Sequence, residues 1–349
     1  MNNSLQTNPV PVTILTGFLG SGKTTLLNHI VSASHGMRIA VLVNDFGAIN
    51  IDAKLVVGVE GETVSLENGC VCCTMRDDLA TETARLLSRP EPPEYILVEA
   101  SGISDPKLIA HTFLSSELEA MVQVDSIIAM VDTEQLLELR HDDLHLALQQ
   151  IDVADIVVLN KIDLVTRAQQ EAVSARIREL VPDARLLPAV HAGVPVELIF
   201  GVEGGGLRPG QPAGDDDHHH HGNEHPTFRT WSWISDEPLS LSAFRDTITS
   251  LPPSVYRAKG ILQLRDYPSY KVQFQMAGKR SSLGTTELWA DDAPPRSELV
   301  FISSGDEDDF EHLQNHLDAC AFEQHPDNQL VNWRDLPKRN TEPCQQATT

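Results

Sequence analysis

The stretch Gly17-Phe18-Leu19-Gly20-Ser21-Gly22-Lys23-Thr24 constrains this chain more than any other. It satisfies every fixed position of the phosphate-binding loop, G-x-x-x-x-G-K-[ST]. The apolar run Val10 to Leu15 before it predicts a buried strand, and Thr24 to Ser34 after it predicts a helix with apolar residues at helical spacing. That setting is what the motif needs. Gly17, Gly20 and Gly22 let backbone N–H groups turn toward phosphate oxygens, and the helix dipole points its positive end at the same charge. Lys23 then reaches the terminal phosphates and the Thr24 hydroxyl ligates Mg²⁺, with Ser21 and Thr25 completing the nucleotide-binding set. A glycine turn that merely precedes a helix is the competing explanation, but it does not call for all the fixed positions at once. The expected ligand is a nucleoside triphosphate.

With 349 residues, the default expectation is two domains, and a hydrophobic content of 41% supplies ordinary cores for both. The 50 acidic residues against 26 Lys and Arg give a formal charge of -24. That balance argues against nucleic-acid and anionic-membrane partners, which need clustered cations, and it suits cationic ones. Met1 to Val10 has neither a basic start nor an apolar centre, and no run approaches a membrane span, so a cytoplasmic protein is expected. Three of the five cysteines crowd at Cys70, Cys72 and Cys73, a spacing that points to metal binding or redox chemistry rather than a disulfide framework.

Further chemistry falls at the ends of predicted strands. Arg38 to Val43 runs into Asn44-Asp45-Phe46-Gly47, which makes Asp45 a candidate for Mg²⁺ or water contact; a solvated turn aspartate is the alternative. Asn68-Gly69-Cys70-Val71-Cys72-Cys73 precedes a polar helix over Arg76 to Ser88. Three thiolates with no fourth cysteine nearby leave a coordination position open, and soft ligands favour zinc or a similar thiophilic ion. Buried or redox-active cysteines are the competing reading. The strand Tyr95 to Val98 delivers Glu99, placed to hold the Mg²⁺ shell, and Gly102, whose N–H is available to the γ-phosphate.

Beyond a strand over Ser126 to Val131, a helix carries His141 and His145 at i, i+4, a spacing more usual for surface histidines than for a metal pair. The strand Asp155 to Leu159 leads into Asn160-Lys161-Ile162-Asp163. A carboxylate at Asp163 can accept from both the ring N–H and the exocyclic amine of guanine, a donor pair that adenine lacks. Lys161 is expected along the base, Asn160 is expected to tie loops together, and His191 is expected at the surface, with a contact to the metal or the nucleotide loop as the alternative. A helix over Gln169 to Leu180 and an apolar piece over Leu186 to Val190 complete an alternating βα order. The fold class is α/β, a mainly parallel doubly wound sheet over residues 9–200.

Residues 201–226 form a Gly- and Pro-rich linker in which Asp215 to Asp217 lead into His218, His219, His220 and His221; weak divalent-metal binding and an adventitious run are equally open readings. Residues 227–322 change to alternating strands near 228–234, 258–264, 270–276, 285–289 and 298–302. Helices near 239–251 and 308–320 make this a smaller α+β domain. Cys320 is expected in packing, and 323–349 is a polar tail.

Taken together, these residues resemble the CobW-like metallochaperone GTPases, P-loop relatives of the urease and hydrogenase nickel-insertion GTPases. The carriers are Gly17 to Thr25, Asn44 to Gly47, Asn68 to Cys73, Glu99 to Gly102 with Asp105-Pro106, Asn160 to Asp163, the histidine-rich linker, and Arg257-Ala258-Lys259-Gly260. The resemblance implies an enzyme that hydrolyses GTP with Mg²⁺, binds Zn²⁺, or in some branches Co²⁺ or another metal, and delivers it to a client metalloprotein; a homodimer is a further candidate assembly. Many members carry glutamates around the second loop, whereas Val43 and Ala48 flank it here, so an accessory metal site at that loop is not implied. The combined reading is a nucleotide-gated carrier in which Cys70, Cys72 and Cys73 hold the ion. Its rivals are a non-catalytic metal buffer or sensor using the linker histidines, and a small-molecule kinase.

Overall fold

The computed structural model describes residues 9–33, 36–43, 63–65, 74–114, 118–201, 228–290 and 294–322. Asp45, Cys70, Cys72, Cys73 and His218 to His221 lie outside the described residues. Two sheets organise the remainder. The first has seven strands, β1 (Val10–Thr16), β2 (Ile39–Val43), β3 (Thr63–Ser65), β4 (Tyr95–Glu99), β5 (Val122–Asp132), β6 (Ile156–Asn160) and β7 (Arg185–Pro188), in the order β3-β2-β4-β1-β5-β6-β7. Every pairing in it is parallel.

Buried β2 is a continuous apolar run, and β4 and β6 are apolar up to their last residues, Glu99 and Asn160, as fits strands covered by helices on both faces. Alternate residues divide between the faces: Leu97 and Met130 pack with Leu27 and Ile30 of α1 (Lys23–Ser32). Ile96 and Val98 pack instead with Leu86 of α2 (Thr74–Leu87) and with Phe113 of α3 (Pro106–Phe113). The same second face is continued by α4 (Thr133–Glu138), α5 (His141–Asp152) and α6 (Arg167–Leu180). Local signals place their starts. Asp105 caps α3 by accepting from Lys107 N ahead of Pro106 at the first helical position, and Thr166 with Gln169 forms a capping box on α6.

The second sheet is antiparallel and comprises β8 (Arg229–Ser235), β9 (Val255–Leu262), β10 (Tyr270–Ala277), β11 (Arg280–Leu288) and β12 (Ser297–Ser303), in the order β11-β10-β9-β12-β8. After the short α7 (Glu197–Phe200) closes the first domain, α8 (Leu241–Thr249) and α9 (Glu307–Phe322) cover one face of this sheet. Val272, Phe274 and Met276 point into that core with Phe244, Leu313 and Leu317, and Cys320 is buried in the same cluster.

The other face meets the first domain at the amino ends of its strands. Tyr256 and Ile302 are buried in one cluster with Leu187, Ile199 and Phe200. Arg257 pairs with Asp125, whose carboxylate also accepts from the Tyr95 hydroxyl at 2.6 Å. Asp125 is the extra residue of a bulge in β5, where Val12 pairs with Val124 and Thr13 with Ser126, and such a bulge re-aims a side chain. A strand expected to start at Ser126 therefore begins at Val122 and carries a carboxylate within its apolar run. Burial pulls the Arg257 pKa down, but Asp125 and Tyr95 outweigh it and hold the guanidinium above its ordinary value.

A second clasp joins Arg280 to Asp155 at 3.0 Å. Burial raises the Asp155 pKa, and the Arg280 charge and the Ile127 N–H oppose the rise. The hairpin turn beside it needs glycine, because Gly278 has φ 56 and a Cβ there would lie 2.0 Å from Asp155 O. Removing one member of a buried ion pair strands the other. Arg257→Leu is therefore expected to cost about 3 kcal/mol in urea unfolding, and adding Asp125→Leu to recover a large part of it.

Candidate functional site

All the predicted nucleotide residues that are described gather at the carboxyl edge of the parallel sheet, where β1, β4 and β6 end. The loop after β1 passes into α1 through Gly22, which has φ 108; a Cβ there would stand 2.4 Å from Asn160 Nδ2. No side chain caps α1, so its first N–H groups face the loop. Lys23 is buried, and its Nζ donates to Gly17 O at 2.9 Å and Phe18 O at 3.2 Å. This anchors the ammonium on its own loop.

Thr24 Oγ1 donates to Glu99 Oε1 at 2.8 Å, so the two expected Mg²⁺ ligands meet across 75 residues of sequence. Glu99 is buried and Thr25 is exposed. Gly20, Gly22, Lys23, Thr24, Thr25, Glu99 and Gly102 line one cavity of about 300 Å³. Ser21 Oγ is buried with no hydrogen-bond partner among the described residues. A glycine cradle, a lysine, a hydroxyl and a carboxylate around one cavity make a donor set that fits a Mg²⁺-bound phosphate chain. Gly102 touches the phosphate loop, since a Cβ on it would lie 2.9 Å from Leu19 N.

The residues predicted to read the base sit beside this cavity. Asn160 Nδ2 donates to Ser21 O at 2.9 Å, and its Oδ1 accepts from Ala192 N at 2.9 Å. Its backbone carbonyl accepts from Thr133 Oγ1 at 2.7 Å. Lys161 adopts φ 61 in the left-handed region, and its Nζ lies 2.6 Å from Asp132 Oδ2. Asp163 follows on a 3₁₀ turn, Ile162–Leu164, and is exposed.

Three participants escaped the sequence reading. Gln150 is buried and donates from Nε2 to Gly102 O at 3.1 Å and Ser104 O at 3.2 Å, so α5 braces the loop after β4. Asp132 and Ala192 hold Lys161 and Asn160. A signal for Asp132 existed, because an aspartate between an apolar strand and Thr133-Glu134 reads as a helix N-cap. The single helix expected to include His141 and His145 is preceded by a separate one, α4, with Leu139 and Arg140 extended between them. His141, His145 and His191 are exposed, and among the described residues no cluster of three or more His, Cys, Asp or Glu side chains can hold a metal ion. A larger cavity of about 550 Å³ lies between the two sheets, and none of the predicted site residues lines it.

The sheet order and the phosphate loop define a P-loop nucleotide-binding protein. Residues 11–188 match the family description "CobW/HypB/UreG, nucleotide-binding domain", and residues 228–321 match "Cobalamin synthesis protein cobW C-terminal domain". The chain belongs to the CobW/HypB/UreG family. A relative from Dictyostelium discoideum, "Zinc-regulated GTPase metalloprotein activator 1", is 35% identical over 228 residues, which are 55% of this chain and 48% of the relative. The alignment thus spans about half of that relative's length. "Zinc chaperone YjiA" of Escherichia coli is 29% identical over 304 residues, covering 84% of this chain and 94% of that one. Among solved structures, Zn(II)-bound YjiA GTPase from E. coli aligns over 90% of this chain and 99% of its own at 24% identity, with a TM-score of 0.43. Among the described residues no helix is long and apolar enough to cross a membrane.

Asn160→Ala leaves two buried backbone groups, Ser21 O and Ala192 N, without their partner. The expected loss is about 2–4 kcal/mol, read as a lower urea midpoint at unchanged slope.

Proposed function

We propose that this chain hydrolyses GTP and uses the cycle to gate a metal ion, Zn²⁺ or a related transition metal such as Co²⁺, held by Cys70, Cys72 and Cys73 and passed to a client metalloprotein. The observation that carries the proposal is a register. Ser65 at the end of β3 pairs with Val43 of β2, and Val43 pairs with Glu99 of β4. Two strand spacings, about 10 Å, therefore separate the end of β3 from the backbone of Glu99, whose carboxylate accepts from Thr24. The cysteines begin five residues after Ser65, and α2 begins one residue after Cys73. This supports a cargo site on the same sheet edge as the phosphate cavity. The names carried by the relatives support the choice of GTP and zinc.

Each residue has a physical task in this reading. Thr24 and Glu99 would hold Mg²⁺, which when bound neutralises charge on the terminal phosphates. Lys23 and the loop N–H groups orient the phosphate chain, Gly102 offers an N–H at the γ-position, and Asp163 accepts from guanine. Asp45 lies two residues in sequence beyond the end of β2, whose Val43 lines the phosphate cavity, and is the candidate to position water. The histidines 218–221 are a secondary, weak metal store.

Binding of metal and triphosphate at one edge makes their affinities interdependent and reciprocal. Zn²⁺ affinity, measured by competition with a chromophoric chelator in Mg²⁺ buffer, is expected to be about tenfold or more higher with a non-hydrolysable GTP analogue than with GDP. Replacing Cys70, Cys72 and Cys73 by serine should abolish that difference. Equal affinities in the two nucleotide states would refute gating, and tight binding by the serine variant would refute the cysteine site.

A further inference from the structure

We propose that Asp132 is a specificity-determining residue of the base site, keeping the Asp163 carboxylate free to read guanine by clasping the neighbouring Lys161. The inference rests on the guanine-nucleotide reading above. Asp132 closes β5 and is the register partner of Asn160 on β6. Lys161, the next residue, turns beside it.

The carboxylate of Asp132 is fixed on both sides. One oxygen caps α4 by accepting from Glu134 N at 3.2 Å and Gln135 N at 3.1 Å. The other lies 2.6 Å from Lys161 Nζ, and the two side chains keep 11% and 34% of their surface exposed. Because the cap holds the carboxylate in place, the lysine must come to it. Lys161 meets that demand with φ 61, a conformation that side-chain-bearing residues rarely adopt.

The consequence is electrostatic. Asp163 stands two positions further on, exposed, within the same tight turn. Lys161 is the cation closest to it in sequence. An unclasped ammonium there competes with the guanine ring N–H and exocyclic amine for the same two oxygens, and a cationic donor binds a carboxylate more strongly than a neutral donor does. Asp132 removes that competitor, so the base site uses two carboxylates for one lysine: the first neutralises the cation, and the second reads the base.

The test compares GDP with IDP, which lacks only the 2-amino group, by competition against a fluorescent guanine nucleotide on the full chain in Mg²⁺ buffer. Asp132→Asn and Asp132→Ser both retain a good helix-capping acceptor while losing the charge. The parent chain is expected to prefer GDP by about tenfold or more. Each variant should lose at least about threefold of that preference with little change in thermal unfolding. Adding Lys161→Ala to Asp132→Asn should restore the ratio, because the competing cation is gone; a merely structural role for Asp132 would not respond in this way. A preference unchanged in both single variants overturns the inference, as does failure of Lys161→Ala to restore it. A parent chain that does not distinguish GDP from IDP overturns the guanine reading itself, and the inference with it.

Discussion

The amide of Asn160 is the contact on which the carboxyl edge of the parallel sheet depends. One side chain joins the end of β6 to the phosphate loop at Ser21 and to the turn at Ala192. Its position fixes where the phosphate loop stands relative to Lys161 and Asp163. The demand runs in both directions: Asn160 can reach Ser21 only because Gly22 presents no Cβ to its amide nitrogen. A glycine of the phosphate-loop motif thus also admits the residue that braces the loop.

The two ends of the parallel sheet carry separate tasks. At the carboxyl end, the phosphate loop, Lys23, Thr24 and Glu99 line one cavity. At the amino end, Asp125 and Asp155 receive Arg257 and Arg280 from the second sheet. Both contacts bury charge, and burial of ions is costly unless each finds a partner of opposite sign. The buried Arg257 pair, the half-exposed Arg280 on buried Asp155 and the Gly278 turn together tie the second domain to this end of the sheet. Strands β5 and β6 connect the two ends: Asp125 and Asp155 are engaged by the second domain at the amino end, and Asp132 and Asn160 close the strands at the other.

Motifs with local chemistry were legible in the chain. The phosphate loop, Glu99, Gly102 and the Asn160 to Asp163 run each sit at the end of an apolar segment, and an apolar run bounded by turn residues identifies a buried strand without tertiary information. Alternation in Val272, Phe274 and Met276 likewise marked a half-buried antiparallel strand. What stayed hidden was pairing between distant residues. Gln150 lies on a helix with no sequence motif around it, and only its hydrogen bonds to Gly102 O and Ser104 O turn it into a brace. Asp125 interrupts an apolar run and reads as a strand boundary; a bulge makes it an interior residue with an ionic partner 132 positions away.

The sequence by itself determined the class of ligand and the order of the elements, because glycine, lysine and carboxylate chemistry at fixed short spacings depends on local backbone geometry. Tertiary structure alone decided how those pieces are held: which carboxylate clasps Lys161, which amide braces the phosphate loop, and which end of the sheet receives the second domain. Those choices depend on the parallel order β4-β1-β5-β6 and on burial, which set the strength of an ion pair or hydrogen bond and are properties of the folded chain as a whole.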